Sequence, residues 1–170
     1  MMQHTQTQLR QLKLTGMADA LRRQDELPNQ YDSLSFAERL QLLVDHEELI
    51  REQRKQQRLL KGAKLKLNAS AKAIDYTYPR GLKQSQFAAL LSGDWIHKHQ
   101  NVLFTGPCGC GKTYLACALA EAACMRGYSA KYYRLSRLLL ELSQAKADGP
   151  YRKLLQELAQ LDLLILADAR

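Results

Sequence analysis

Residues 106–113 combine three glycines with a lysine and a hydroxyl side chain at a spacing suited to holding phosphate groups. They satisfy the pattern G-x-x-x-x-G-K-[ST] in full, as Gly106, Pro107, Cys108, Gly109, Cys110, Gly111, Lys112 and Thr113. Glycines allow backbone N–H groups to turn toward a phosphate without a clash from Cβ atoms. The lysine can then contact the β- and γ-phosphates, and the threonine hydroxyl can bind Mg²⁺. This loop therefore predicts binding of ATP with Mg²⁺.

The elements that must position this loop are also indicated by the sequence. Residues 101–105 are predicted as a short buried strand before it, and residues 112–126 as a helix after it, whose N-terminal dipole favours phosphate. The remaining elements are strands at 129–133 and 163–166 and helices at 136–146 and 151–160. Strands that alternate with helices favour a parallel, doubly wound α/β sheet.

An ATPase of this type also needs acidic groups at the end of a neighbouring strand, which hold Mg²⁺ through water and orient the attacking water. Two adjacent acids are expected there. The strand at 163–166 is followed by Ala167 and Asp168, so only the second acid is present. Asp168 is the candidate catalytic and metal-associated residue, and efficient hydrolysis by this chain is not expected.

The N-terminal part is predicted to be helical. Apolar residues recur at near-helical intervals over 6–24, which predicts a first helix there, and residues 28–33 indicate a turn. Ser35 and Glu38 are then spaced as a capping box for a long helix that reaches about Lys66. The expected domains are a helical N-terminal domain over 1–67, a linker over 68–84 and a partial P-loop domain over 85–170.

Positive charge is concentrated in one stretch. The chain carries a formal net charge of +8, and ten basic against two acidic residues fall between Arg51 and Lys83. Several cations spaced along one helix can neutralise the phosphates of double-stranded DNA without any preference for base sequence. The candidate DNA-binding residues are Arg51, Arg54, Lys55, Arg58, Lys61 and Lys64. A solvated helix face is the alternative interpretation of the same pattern.

Composition excludes several classes of protein. With 170 residues and 46% hydrophobic residues, the chain can form a packed core. It has no apolar run long enough to span a bilayer and no apolar segment of signal-peptide type, so a cytoplasmic protein without membrane contact is expected. The four cysteines lie within 17 residues, a distribution unlike that of a disulfide framework or a zinc site. They are predicted to be small packed side chains.

Three parts of the sequence together resemble the IstB-like ATP-binding proteins. They are the loop 106–113, the strand end 163–168, and the N-terminal stretch 34–40 with Glu48, Arg51 and the basic run beyond. These proteins are helper ATPases of insertion sequences, related to DnaC-type helicase loaders within the AAA+ class. The resemblance implies a small all-α N-terminal domain followed by an AAA+ type P-loop NTPase core.

The resemblance also implies partners and reveals departures. It implies an ATP-dependent homo-oligomer on DNA that assists the transposase of the same element. Ala167 stands where the family has its first, metal-associated acid, and the family's later strand, sensor residue and arginine finger do not follow. The sheet is therefore expected to be C-terminally incomplete, as in a truncated copy. A helicase loader and a non-catalytic nucleotide- or DNA-binding fragment remain the alternatives.

Overall fold

The computed structural model describes residues 2–77 and 81–167, which form two compact units. One unit is Met1–Lys55 and the other is Gln56–Arg170. The division falls inside a long helix, whereas the sequence predicts a domain boundary near residue 67, which stays a prediction. None of the described helices is both long and apolar enough to cross a membrane.

The first unit is helical, as predicted. It contains α1 (Met2–Gln11), α2 (Thr15–Glu26), α3 (Pro28–Tyr31) and the first part of α4 (Phe36–Ala63). The prediction of a single helix over 6–24 is wrong, because the helix is interrupted at Lys13, whose φ is +62°. Around this break Lys13 N–H donates to the carbonyl of Arg10, and Leu14 N–H donates to that of Leu9. These two bonds end α1 in the way that a Schellman motif does.

The capping box predicted at the start of α4 is confirmed. The carboxylate of Glu38 accepts from the backbone N–H of Ser35 at 2.7 Å, and Ser35 Oγ accepts from the N–H of Glu38 at 3.3 Å. Hydrogen bonds from the Ser35 side chain and backbone lower the pKa of Glu38. The two residues therefore satisfy backbone donors that the first helical turn would otherwise leave unpaired.

A buried carboxylate joins α2 to α4. Glu47 Oε2 accepts from the N–H groups of Gly16 at 2.7 Å and Met17 at 3.1 Å, while Oε1 accepts from Arg51 Nε at 2.7 Å. A Cβ at Gly16 would lie 2.7 Å from the Cα of Glu47, so only glycine fits this crossing. The negative charge of Glu47 thus lies at the positive end of α2.

The second unit contains the α/β part of the chain. Its elements after α4 are α5 (Gln84–Leu91), α6 (Asp94–His97), α7 (Lys112–Met125), β1 (Ala130–Arg134), α8 (Leu135–Asp148), α9 (Tyr151–Ala159) and β2 (Leu163–Ala167). The strands pair in parallel, with Ala130 opposite Leu163 and Arg134 opposite Ala167. The strands and helices predicted after residue 111 are therefore confirmed within a few residues, as is the parallel arrangement.

Helix α7 lies at the centre of this unit. Its buried small residues, Cys117, Ala118, Ala120 and Cys124, allow close packing on two sides. One cluster joins α7 to Phe87 of α5 and to Ala69 and Ile74, and the other joins it to Ala130 of β1 and Ile165 of β2. Ala69 and Ile74, placed in the linker by the sequence prediction, are thus core residues.

The strand predicted at 101–105 is not formed. Residues 101–107 have no assigned secondary structure, and the side chain of Leu103 is 86% exposed. A strand is stabilised by a neighbouring strand that satisfies its backbone N–H and C=O groups. Within the described residues the sheet consists of β1 and β2 alone, and neither pairs with this segment. An apolar run alone does not provide that partner.

Candidate nucleotide-binding site

The predicted phosphate loop lies at the N-terminus of α7. Gly109 and Gly111 have φ values of +81° and +88°, which are accessible to glycine without strain. Gly111 is the N-cap residue of α7, and no side chain caps the helix there. The first backbone N–H groups of α7 are therefore available to an anion, beside the positive end of a helix of 14 residues.

Lys112 makes its contacts within its own loop. Its Nζ donates to the carbonyl of Gly106 at 2.8 Å and to that of Pro107 at 2.7 Å, and it lies 3.8 Å from Cys110 Sγ. These contacts hold the cationic group against the backbone of the loop. A phosphate group would offer the same ammonium a charged acceptor, which forms a stronger hydrogen bond than a neutral carbonyl.

A cavity of about 600 Å³ adjoins the loop. Its walls include Lys112 and Thr113 from α7, Phe104 from the segment before the loop, and Leu166 and Ala167 from β2. The carboxyl end of β2 therefore lines the same cavity as the residues predicted to hold the phosphates and Mg²⁺. The sequence predicts this proximity of strand end and loop, but the apolar wall formed by Phe104 carries no motif that could identify it.

The candidate acid cannot be placed in this site. Asp168 lies outside the described residues, and the site's last described residue is Ala167, whose methyl group offers no ligand to a metal. Of the two residues predicted to hold Mg²⁺, Thr113 and Asp168, the structure describes only Thr113.

The four cysteines fall into two environments. Cys117 and Cys124 are buried within α7, which agrees with the prediction of small packed side chains, and burial raises the pKa of the Cys124 thiol. The prediction is wrong for the loop, where Cys108 is exposed and Cys110 is half-buried.

The candidate DNA-binding cations are all exposed. Five of the six lie in α4, and the sixth, Lys64, follows its last turn. Arg51 bonds to Glu47, while no ion pair to the other five occurs in the described parts of the chain. Their charges are therefore presented to solvent, where they can meet a polyanion.

Comparison with known sequences decides the family. The family of IstB-like ATP binding proteins matches residues 7–169 of this chain. The chain belongs to this family. A protein of Pseudomonas fluorescens, named as an ATP-binding protein of the insertion sequence IS1162, is 50% identical over 169 residues, which are 99% of this chain and 73% of that protein.

Other relatives carry similar names. One from Sinorhizobium fredii, named as an insertion-sequence ATP-binding protein, is 42% identical over 96% of this chain and 66% of its own length. One from Mycobacterium tuberculosis, named as an ATP-binding protein in an insertion sequence, is 32% identical over 94% of this chain and 63% of its own length. The chain thus spans 63% to 73% of the length of these three relatives. The IstB-like family supports ATP binding in a transposition context for this chain.

Proposed function

We propose that residues 106–113 bind the triphosphate of ATP, with Lys112 on the β- and γ-phosphates and Thr113 on Mg²⁺. The observation that carries this proposal is the position of Lys112. Its Nζ bonds to two carbonyls of the glycine loop, and no side chain caps the helix that begins at this residue. Backbone donors, a helix dipole and one cation converge there, which is the arrangement that phosphates require.

Titration calorimetry with ATP and Mg²⁺ tests this proposal. Lys112→Ala should weaken ATP binding by about ten- to a hundredfold, the loss expected for a hydrogen bond to a charged group. Lys146→Ala is the matched control, because Lys146 is exposed on α8 and should be replaceable without effect. Equal affinities for the two variants would contradict the assignment.

The role of Thr113 has a separate test. Thr113→Ala removes the hydroxyl that would bind Mg²⁺, whereas Thr113→Ser keeps it. ATP binding by the alanine variant should lose most of its dependence on Mg²⁺, and binding by the serine variant should keep it. If both variants respond to Mg²⁺ as the parent chain does, the metal is held elsewhere.

We further propose that the exposed cations of α4 bind double-stranded DNA. Support comes from their exposure and from the absence, in the described residues, of ion pairs to Arg54, Lys55 and Arg58. Binding of this kind depends on phosphate contacts, so the affinity for a duplex should fall steeply as salt is added.

Anisotropy of a labelled duplex measures this interaction. Replacing Arg54, Lys55, Arg58 and Lys61 with glutamine should reduce both the affinity and its salt dependence, and it leaves the Arg51–Glu47 pair intact. The control removes the same charge from exposed positions elsewhere, at Arg134, Lys146, Arg152 and Lys153. Equal losses for the two sets would mean that net charge, and not α4, accounts for binding.

In the cell, we propose that the protein is an ATP-dependent helper of transposition that assembles on DNA and assists a transposase. The family and the names of its relatives support the transposition context. Capture of the transposase of the same element by the tagged chain supports this role, whereas capture of a replicative helicase would indicate a loader instead.

A second candidate, nucleotide binding without efficient hydrolysis, is favoured by one observation. Ala167 is the residue at the end of β2 that shares a cavity with Lys112 and Thr113. Without a carboxylate there, the metal-associated acid expected at this strand end is missing. Measured side by side, ATP binding with little turnover supports this candidate, and rapid turnover that Lys112→Ala abolishes would contradict it.

A further inference from the structure

The phosphate loop contains two thiols to which the proposed function gives no chemical role. Cys108 is exposed and Cys110 is half-buried, whereas Cys117 and Cys124 are buried inside α7. Only the two loop thiols are therefore open to a reagent in the folded chain, and they lie within the segment that ATP must contact.

The side chain of Cys110 contacts the ammonium group of Lys112. Its Sγ lies 3.8 Å from Lys112 Nζ, and the same ammonium group bonds to the carbonyls of Gly106 and Pro107. The sulfur also lies against the backbone of Gly106, because a Cβ built there would be 3.1 Å away from it. The sulfur thus borders the space into which a phosphate must come to reach the lysine.

We propose that Cys110 is a site of covalent modification by soft electrophiles, and that a substituent on its sulfur and a bound nucleotide exclude each other. The inference rests on the proposed binding of ATP by this loop. The thiolate is the reacting form of a cysteine. Its sulfur adds to an electron-poor carbon–carbon double bond, so that an S–C bond forms, the carbon–carbon π bond breaks and the thiol proton passes to the neighbouring carbon. No leaving group or oxidant is needed.

An adduct on Cys110 should block the nucleotide, and a bound nucleotide should block modification of Cys110, for the same geometric reason. A substituent on Cys110 Sγ starts within hydrogen-bond distance of Lys112 Nζ and fills the approach to it. A bound phosphate that contacts this ammonium group covers the sulfur in turn. Cys108 differs, because its exposed thiol directs an adduct into solvent.

The two buried thiols provide internal controls. Cys117 and Cys124 are fully buried, and burial raises the pKa of the Cys124 thiol, which lowers the fraction present as the reactive thiolate. Reaction of all four cysteines is expected only after the chain unfolds. Peptide mass spectrometry therefore distinguishes reaction at the loop from reaction that follows unfolding.

N-ethylmaleimide is the probe for the experiment. The reduced chain is labelled with and without ATP and Mg²⁺, the rate at each cysteine is followed by mass spectrometry, and ATP affinity is measured before and after labelling. We expect ATP to slow labelling of Cys110 by about tenfold at tenfold excess over its dissociation constant, as mutual exclusion requires. Labelling of Cys110 should weaken ATP binding by at least about a hundredfold.

Two single variants assign the effect within the loop. In Cys108→Ser the treated chain should lose ATP affinity as the parent does, whereas in Cys110→Ser the ratio of affinity before and after treatment should stay near one. Each variant is compared with its own untreated sample, so any change in starting affinity does not matter.

The possible results distinguish a failure of the Cys110 proposal from a failure of the proposed ATP binding on which it rests. If the untreated, reduced chain binds no ATP, the proposed function fails and the inference fails with it. If the untreated chain binds ATP and keeps that affinity after Cys110 is labelled, only the inference is overturned. Loss of affinity after treatment of Cys110→Ser, or labelling of Cys110 that ATP does not slow, would overturn it equally.

Discussion

Lys112 satisfies its ammonium group with two carbonyls of its own loop, at 2.8 and 2.7 Å. These bonds hold the ammonium group against the backbone of its own loop. A nucleotide must exchange these neutral acceptors for charged ones, which make stronger hydrogen bonds. At the residue scale the lysine is therefore held in the loop by bonds that a phosphate group can replace.

Ala167 gives the first prediction at this scale. It lines the same cavity as Thr113, and a carboxylate at this position could bind the hydration shell of Mg²⁺. Ala167→Asp should raise Mg²⁺-dependent ATP turnover by about tenfold or more, a change of about 1.4 kcal/mol in the barrier. Release of phosphate measured under saturating ATP checks this.

The matched control is Ala167→Asn, which has the same size as aspartate but no charge. It should leave turnover unchanged, because an amide does not attract Mg²⁺ as a carboxylate does. Equal turnover by the aspartate and asparagine variants would show that charge at the end of β2 does not limit hydrolysis.

At the scale of elements, Glu47 connects α2 to α4, and this connection depends on pH. Burial opposes ionisation of its carboxyl group, but hydrogen bonds from Arg51, Met17 and Gly16 outweigh burial and lower its pKa. A carboxyl group with a lowered pKa stabilises the folded state above its unfolded pKa of about 4.3, and that contribution is lost as pH falls through the folded value.

Glu47→Gln should therefore destabilise the first unit at neutral pH by about 1–3 kcal/mol, because a charge-assisted network becomes a neutral one. The difference from the parent chain should shrink as the pH falls through the lowered pKa of the folded state, since the parent carboxyl group then becomes protonated as well. Urea unfolding followed by circular dichroism between neutral and acid pH measures both. A destabilisation that is independent of pH would indicate lost packing rather than lost charge.

The elements also show what the sequence could and could not predict. Helix α4 was predictable because Ser35 and Glu38 form a local cap, and β1 and β2 were predictable because short apolar runs lie between helices. The break at Lys13 was not, because helix ends with a positive φ ordinarily use glycine or asparagine. The absence of a strand at 101–105 was not predictable either, because strand formation depends on neighbours that an apolar run does not specify.

The same distinction applies to the site. Residues 106–113 could be identified because the chemistry of phosphate binding is local in sequence, so the motif specifies the loop. The cavity that joins Lys112 to Ala167 required the tertiary structure, because parallel strands and α7 bring together residues far apart in the chain. The contact between Cys110 Sγ and Lys112 Nζ likewise depends on side-chain conformations within the loop.

At the scale of the whole molecule, the two units should respond to different ligands and conditions. The phosphate loop lies in the unit Gln56–Arg170, whereas Glu47 lies in the unit Met1–Lys55. A ligand that binds only folded protein stabilises the structure it contacts by an amount that grows with the logarithm of its concentration relative to the dissociation constant. Nucleotide and acid should thus act on separate parts of the chain.

Hydrogen exchange measured by mass spectrometry tests this separation. ATP with Mg²⁺ at about a hundred times its dissociation constant should stabilise the loop and α7 by about 2.7 kcal/mol, which slows exchange of amides that open with that region by about a hundredfold. Amides of α2, held by Glu47, should be little changed by ATP but should exchange faster in Glu47→Gln. Lys112→Ala should remove the ATP effect on α7 and leave α2 as in the parent. If ATP protected α2 as strongly as α7, the two units would have to unfold together, and the separation drawn from their contacts would be wrong.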